Sequence, residues 1–491
     1  MKKDRILAMN EARNREIRRI GVTSGAMQPV KRMHAGLLII TLIMVCFGLV
    51  MLFSASMSDG YASQSGNSMY YVIKQAGITA VGLILALILA LILPVSFFDH
   101  AWMALLLYIM TTGLLVYVKL FGVVMNGARR WVNLGIRFQP SELAKLSLIF
   151  CFAAWCSFLR RRRKAGKLRF RTPLRQFLAD GWLDILLPGL ALLVWIGLVL
   201  WQPHLSGAII LTFIAGVVFL TAGISLRSWI SGLLQLAAIV VVMALVISAA
   251  LPLLPENSLK ASITGNFAHV GDRIDTFLNP EDAEADDVYQ VTQSLIAIGS
   301  GGLTGIGLGE GRQKYNYLPE AHNDYVFAII GEELGFLGTI AVLLLFMMFM
   351  LIGSAITRKA SNTFAAVLAG GYTMLISVQA FLNIGVATRT IPATGISLPF
   401  FSYGGTSNLF FLIAIGFILA VSRTGQSLPK SSEPAIQASD NDRQPDGNLR
   451  RAADADLPGA NSSARRMPDD SPARPHRFYD TPARAGDLRE R

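Results

Sequence analysis

HAGLLIITLIMVCFGLVMLFSA, residues 34–55, carries no Asp, Glu, Lys or Arg along its whole length. As a helix rising 1.5 Å per residue it is about 33 Å long, enough to cross the hydrocarbon core of a bilayer. Similar apolar runs recur at 71–94, 101–121, 142–159, 183–201, 205–223, 229–254, 324–354, 363–386 and 405–423. A soluble chain of 491 residues would divide into two or three domains, but this one is 53% hydrophobic and only 15% charged. The pattern predicts an all-α polytopic membrane protein with ten transmembrane helices.

The net charge of +12 does not point to nucleic acid, because Lys and Arg gather beside the apolar runs, where they set orientation. The two most basic short segments are residues 1–33 and RRRRKAGKLRFRTPLR at 160–175. An even number of spans separates them, so both are expected on the cytoplasmic side, with both termini inside and a large extracellular loop at 255–323. Residues 1–33 are too polar and too long for a signal-peptide n-region. From 424 onward Pro, Ser, Asp, Arg and Ala dominate, which predicts a disordered cytoplasmic tail. The expected organisation is therefore a basic arm (1–33), a membrane domain (34–423) and a tail (424–491). Cys46, Cys151 and Cys156 lie in apolar runs without metal-ligand spacing.

With that orientation, four polar segments meet span ends on the outer side. NGARRWVNLGIRFQPSELAK, 126–145, places Arg129, Arg130 and Arg137 against the orientation bias. A solvated loop and an anion site are both consistent with them. Pro140 and Ser141 suggest a helix start with Ser141 as cap. Glu142 and Lys145, three residues apart, share a face and could pair. Glu142 is equally a helix-start acid, whereas Lys145 could snorkel or meet a phosphate.

The second segment, Gln202-Pro203-His204, reads as a tight hairpin in which His204 is a turn residue. In the third, GSGGLTGIGLGEG at 299–311 meets neither nucleotide fingerprint and reads as flexible or close-packed backbone. YLPEAHNDYVFAIIGEELG at 317–335 puts Asp324 in the first turn of a span, with Asn323 as cap. Gly331 and Gly335 have the spacing of close helix packing. Glu332 and Glu333 are costly in lipid, so one of them is expected to turn toward a partner such as Lys145. The fourth segment, RTIPATGISLPFFSYGGTSN at 389–408, predicts broken or re-entrant backbone, buried in protein or lining a wet cavity.

GARRWVNLGIRFQPSELAKL, QPHLSG, GLGEGRQKYNYLPEAHNDYVFAIIGEELG and IPATGISLPFFSYGGTSN together resemble, in order, the signature blocks of the SEDS family (shape, elongation, division and sporulation) over residues 34–423. The resemblance implies a ten-span bacterial peptidoglycan glycosyltransferase that polymerises lipid II. EAHNDYVFAIIGEELG leans toward the division branch, with elongation and sporulation roles kept open. The resemblance places the essential acid on Asp324 and substrate-handling cations on Arg137 and Lys145. Much of the family has an Asp where this chain has His204. The candidate substrate-binding set is Arg137, Lys145, Glu142, Arg130, Glu320, His322 and Ser402, with no metal ligands assigned.

The implied reaction is an inverting displacement of polyprenyl diphosphate by a sugar hydroxyl. It needs one base, and cations that neutralise the leaving group. A divalent cation, magnesium or manganese, could share that second task. Implied partners are the growing glycan strand, a class B penicillin-binding protein (a transpeptidase) and division-complex proteins in the cytoplasmic membrane at the septum. Two other classes stay open, a lipid II flippase and a non-catalytic scaffold.

Overall fold

The computed structural model describes residues 33–125, 128–133, 137–202, 204–250, 285–393 and 395–424. The basic arm, the first part of the large loop and the tail lie outside the described residues. Besides a four-residue helix at Val95–Phe98, eleven longer helices form the described body: α1 (Ala35–Ser63), α2 (Tyr70–Leu91), α3 (Ala101–Phe121), α4 (Pro140–Lys164), α5 (Pro173–Trp201, passing through a π turn), α6 (Leu205–Thr221), α7 (Leu226–Ala250), α8 (Ala285–Ser300), α9 (Val326–Arg358), α10 (Thr363–Ala387) and α11 (Thr406–Arg423). Each of the ten expected spans overlaps one of these helices, with residues 251–254 of the seventh lying outside the described residues. Eight are long and apolar enough to cross a membrane by length and composition, and two shorter apolar stretches fall at Ser206–Thr221 and Leu226–Val242. The chain is a multi-pass helical membrane protein.

Burial separates inner from outer helices. The apolar windows of α4 and α10 are each 72% buried, whereas those of α2, α3 and α5 are 22% buried and present Leu, Ile and Val outward. The interior helices pack on one another, α4 against α10 and α6, and α11 runs along α2. Burying α4 on all sides suits a helix whose first turn carries Glu142 and Lys145, because protein, not lipid, then surrounds both charges.

Three features depart from the sequence expectations. α9 begins at Val326 with Tyr325 at its cap position, so Asp324 precedes the helix and Asn323 does not cap it. Pro140 occupies the first turn of α4 behind Gln139 at the cap position, which places Ser141 inside the helix instead of at its cap. The large loop also contains α8, and the 126–145 segment contains a small antiparallel sheet, β1 (Val123–Met125), β2 (Ala128–Asn133) and β3 (Arg137–Phe138).

The Gly-rich run and the glycines of α9 meet each other. α9 breaks at Gly335, whose φ of 64° and ψ of −161° interrupt the helical ladder. The groups released there are caught by the loop: Ile306 and Gly307 donate to the carbonyls of Glu332 and Glu333, while Phe336 and Leu337 donate to those of Gly302 and Leu303. The backbones touch so closely that a Cβ on Gly301 would stand 1.9 Å from the Gly331 carbonyl oxygen, and one on Gly305 2.0 Å from that of Glu333. The glycine spacing therefore serves a loop lying on a broken helix. Of the two readings open for the Gly-rich run, close-packed backbone is the one observed.

The acids beside the break have partners other than Lys145. Glu333 accepts from Lys314 Nζ at 2.7 Å, Ser54 Oγ at 2.6 Å and the amides of Gly309 and Gly311. Glu332 accepts from the amides of Arg312 and Gln313. Both carboxylates thus fasten the loop to α9, and the expected pairing with Lys145 is absent. Lys314, fully buried within the loop, takes that role.

Candidate active site

Two amides on one face of α10 assemble the site. Asn383 Nδ2 donates to the Asp324 carbonyl at 2.7 Å and to that of Ile396 at 2.6 Å, tying the segment before α9 to the broken segment before α11. One turn earlier, Gln379 Oε1 accepts from Lys145 Nζ at 2.9 Å. Lys145 also pairs with Glu142 at 2.7 Å, and the two residues are 2% and 8% exposed. α10 therefore carries Asp324 on one amide and Lys145 on the other.

Asp324, Gln379, Lys145 and Glu142 line one cavity of about 460 Å³, within the usual range for small-molecule sites. Lys74 of α2, Arg130 of β2 and Lys145 bring positive charge to its wall, and Glu142, Glu320 and Asp324 bring negative charge. Asp324 lies against Gly395, where an added Cβ would stand 3.3 Å from Oδ2. Loss of hydration in this packed wall, and secondarily the charge of Glu320, push the Asp324 carboxyl up to about 7. A carboxyl poised there can accept a proton near neutral pH. Among the described residues no three His, Cys, Asp or Glu side chains are grouped as metal ligands.

A profile for the FtsW/RodA/SpoVE proteins, described as "Cell cycle protein", matches residues 35–427. The chain belongs to the FtsW/RodA/SpoVE family. It is 31% identical to the probable peptidoglycan glycosyltransferase FtsW of Geobacter metallireducens over 82% of this chain and 98% of that one. It is 34% identical to the stage V sporulation protein E of Bacillus subtilis over 79% and 96%. A solved structure titled "Structural coordination of polymerization and crosslinking by a peptidoglycan synthase complex" superposes with a TM-score of 0.57 at 27% identity, covering 81% of this chain and 99% of that one.

In this FtsW/RodA/SpoVE chain, five of the eight residues singled out from sequence line the cavity: Asp324, Lys145, Glu142, Arg130 and Glu320. Arg137 has its backbone in β3, paired with Asn133, and its side chain lies outside the described residues. Ser402 stands off the cavity wall. It is 1% exposed, its Oγ accepts the Leu398 amide at 2.8 Å, and it braces the turn behind the cavity instead of lining it. His322 also stands off the cavity wall. Its ring lies on Tyr71 with centroids 4.7 Å apart, and its Nε2 is 4.0 Å from Asp59 Oδ2. Burial lowers the His322 pKa, against the opposing pull of Asp59 and Glu320.

His204, expected as a plain turn residue, stands at the cap position before α6, and it also lines the cavity and rests on Gly207. Lys74 and Thr406, both on the cavity wall, were not selected from sequence, and Gln379 was noted only as a polar position within its span. The polar doublet Lys74-Gln75 near the start of an apolar run was the available signal for the first.

Proposed function

We propose that this chain is a peptidoglycan glycosyltransferase that polymerises lipid II at the outer face of the cytoplasmic membrane, with Asp324 as the base. One observation carries this reading. A carboxyl held near pH 7 shares a cavity with three cationic side chains, at an end of the helical body where a lipid-linked substrate can keep its tail in the bilayer. The acceptor hydroxyl gives its proton to the Asp324 carboxylate while its oxygen bonds to the donor's anomeric carbon. The bond from that carbon to the diphosphate oxygen breaks, and the electron pair leaves with the diphosphate. Lys145, with Arg130, Lys74 and Arg137, neutralises the charge that develops there, which removes the need for a second carboxylic acid.

The relatives named as probable peptidoglycan glycosyltransferases support the activity, and the predominance of FtsW among them supports a role in septal wall synthesis. Likeness to a peptidoglycan synthase complex supports a transpeptidase of the penicillin-binding class as partner. The flippase reading is weaker. Glu332 and Glu333, the acids that a polar path toward the cytoplasmic half would use, are taken up by Lys314, Ser54 and loop amides. In this reading residues 34–423 form the catalytic membrane domain, and the arm and tail are cytoplasmic appendages.

The test is the purified full chain in detergent, with and without its transpeptidase partner, given labelled lipid II and resolved on a gel. The expected result is a glycan ladder from the native chain and none from Asp324→Asn. A ladder from Asp324→Asn equal to the native one would remove Asp324 as base. Detergent separates this activity from flipping, because no transbilayer movement is needed.

A further inference from the structure

We infer that the N-terminal mouth of α11, residues Gly404 to Ser407, is a diphosphate cradle that holds the leaving group of the polyprenyl-linked donor. The inference rests on the glycosyl-transfer reading above and assigns that site a subsite which none of the cationic side chains provides.

α11 opens into the cavity, and Gly404, Gly405, Thr406 and Ser407 all line it. The helix is 18 residues long, its cap position is Gly405, no side chain caps it, and its first turn contains no acid. The Ser407 amide is taken by the Gly404 carbonyl, and the positive end of the helix dipole meets the cavity wall with no acid of its own turn to offset it. Gly405 has a φ of 50°, a conformation that lets bare backbone approach a ligand. The second observation is independent of the helix end. Thr406, 6% exposed, has a hydroxyl with no hydrogen-bond partner among the described residues. A buried hydroxyl left unmatched is unfavourable, and because Thr406 lines the cavity wall a ligand oxygen seated there would satisfy it once the side chain turns toward it. Ser407, 7% exposed, stands beside it.

The loop is held in place from α2. The Gly405 amide donates to Gln75 Oε1 at 3.2 Å, while the preceding residue, Lys74, reaches the cavity wall. Adjacent residues of α2 thus position the cradle and bring a cation to its rim. With Arg130 and Lys145 on the other walls, a diphosphate would meet the helix end and its hydroxyls on one side and cations on the others. This is the chemistry of a diphosphate more than of a neutral sugar.

Farnesyl diphosphate is the probe, with farnesol, inorganic pyrophosphate and phosphatidylglycerol as comparison arms, and equilibrium binding to the full chain is the readout. Thr406→Val and Ser407→Ala are expected to weaken farnesyl diphosphate about tenfold or more, as loss of a hydrogen bond to a charged group does. Farnesol binding should be unchanged, and Thr406→Ser should restore the affinity. The Thr406→Ser and Ser407→Ala arms decide the case if Thr406→Val fails to fold. Unchanged diphosphate affinity in the folded variants would overturn the cradle. Displacement of the probe by phosphatidylglycerol as readily as by pyrophosphate would also overturn it, in favour of a lipid-headgroup contact. Hydroxyl-dependent diphosphate binding in a native chain that makes no glycan would leave the cradle standing and overturn the polymerase reading instead.

Discussion

Asp324 and Lys145 share a cavity, yet their neighbours treat them differently. Lys145 is fixed by Glu142 and Gln379, while the Asp324 carboxyl is set against Gly395 with its own acidic neighbour, Glu320. With the Asp324 pKa raised to about 7 from 3.8, the base form grows as pH rises through neutrality. Log kcat/KM for glycan synthesis should climb with unit slope below that value and level off above it. The sign is opposite for stability, since a raised carboxyl pKa favours the folded state below about 7 and loses that contribution as pH rises through the window from 3.8. A flat pH profile between 5 and 8 would contradict the assignment. Lys145→Ala should weaken lipid II handling and also leave Glu142 buried without its cation, destabilising the fold by about 3 kcal/mol or more. Titration of KM and melting in detergent separate the two effects, and Glu142→Gln in the same chain should recover stability without recovering KM. Both charges were legible in the sequence because an ionised group at the edge of an apolar run has few inexpensive places to go. Ser402 and Thr406 were not separable by sequence, since which hydroxyl of an irregular segment faces the cavity depends on backbone turns that leave no period.

The apolar runs of α1 to α7 and α9 to α11 were readable because a span needs a length and a composition, and both are printed in the chain. The break in α9 was not, although its glycines were noticed, because Gly331 and Gly335 have the same spacing whether a helix or a loop lies on them. The sheet formed by β1, β2 and β3 was not read from the sequence, although Asn126-Gly127 between Val-rich and Trp-Val flanks is a hairpin signal. The loop on α9 carries a prediction. Lys314 is the cation for a Glu333 that is itself fully buried, and Gly305 meets the Glu333 carbonyl directly. Lys314→Met should leave that carboxylate uncompensated and lower stability by about 3–5 kcal/mol. Gly305→Ala should force the loop off α9 and reduce glycan synthesis, because residues 305–325 lead into Asp324. Melting temperature and ladder yield measure these, and a Lys314→Met protein as stable as the native one would show that the loop amides alone suffice.

α4 fixes the orientation argument for the whole molecule. It runs 25 residues from Pro140 to Lys164, about 37 Å at helical rise, so its ends stand on opposite sides of the hydrocarbon core. Glu142 and Lys145 mark one end at the cavity. Arg161 and Arg163 mark the other, where they pair with Asp99 at 2.6 Å and with Asp180 and Asp184 at 3.0 and 2.9 Å. Arg160, Arg162 and Lys164 in the last turns of α4 and Lys167, Arg169 and Arg171 beyond it favour the cytoplasmic side, and in the proposed orientation the cavity is outside. With Cys46, Cys151 and Cys156 replaced by Ala, a cysteine introduced by Gly166→Cys should react with a membrane-impermeant maleimide only after permeabilisation. One introduced by Tyr317→Cys, at a position that is 57% exposed on the loop leading to Asp324, should react on intact cells. The reverse labelling would put the carboxylate and its cations in the cytoplasm, where a polymerase that builds wall outside the membrane has no use for them.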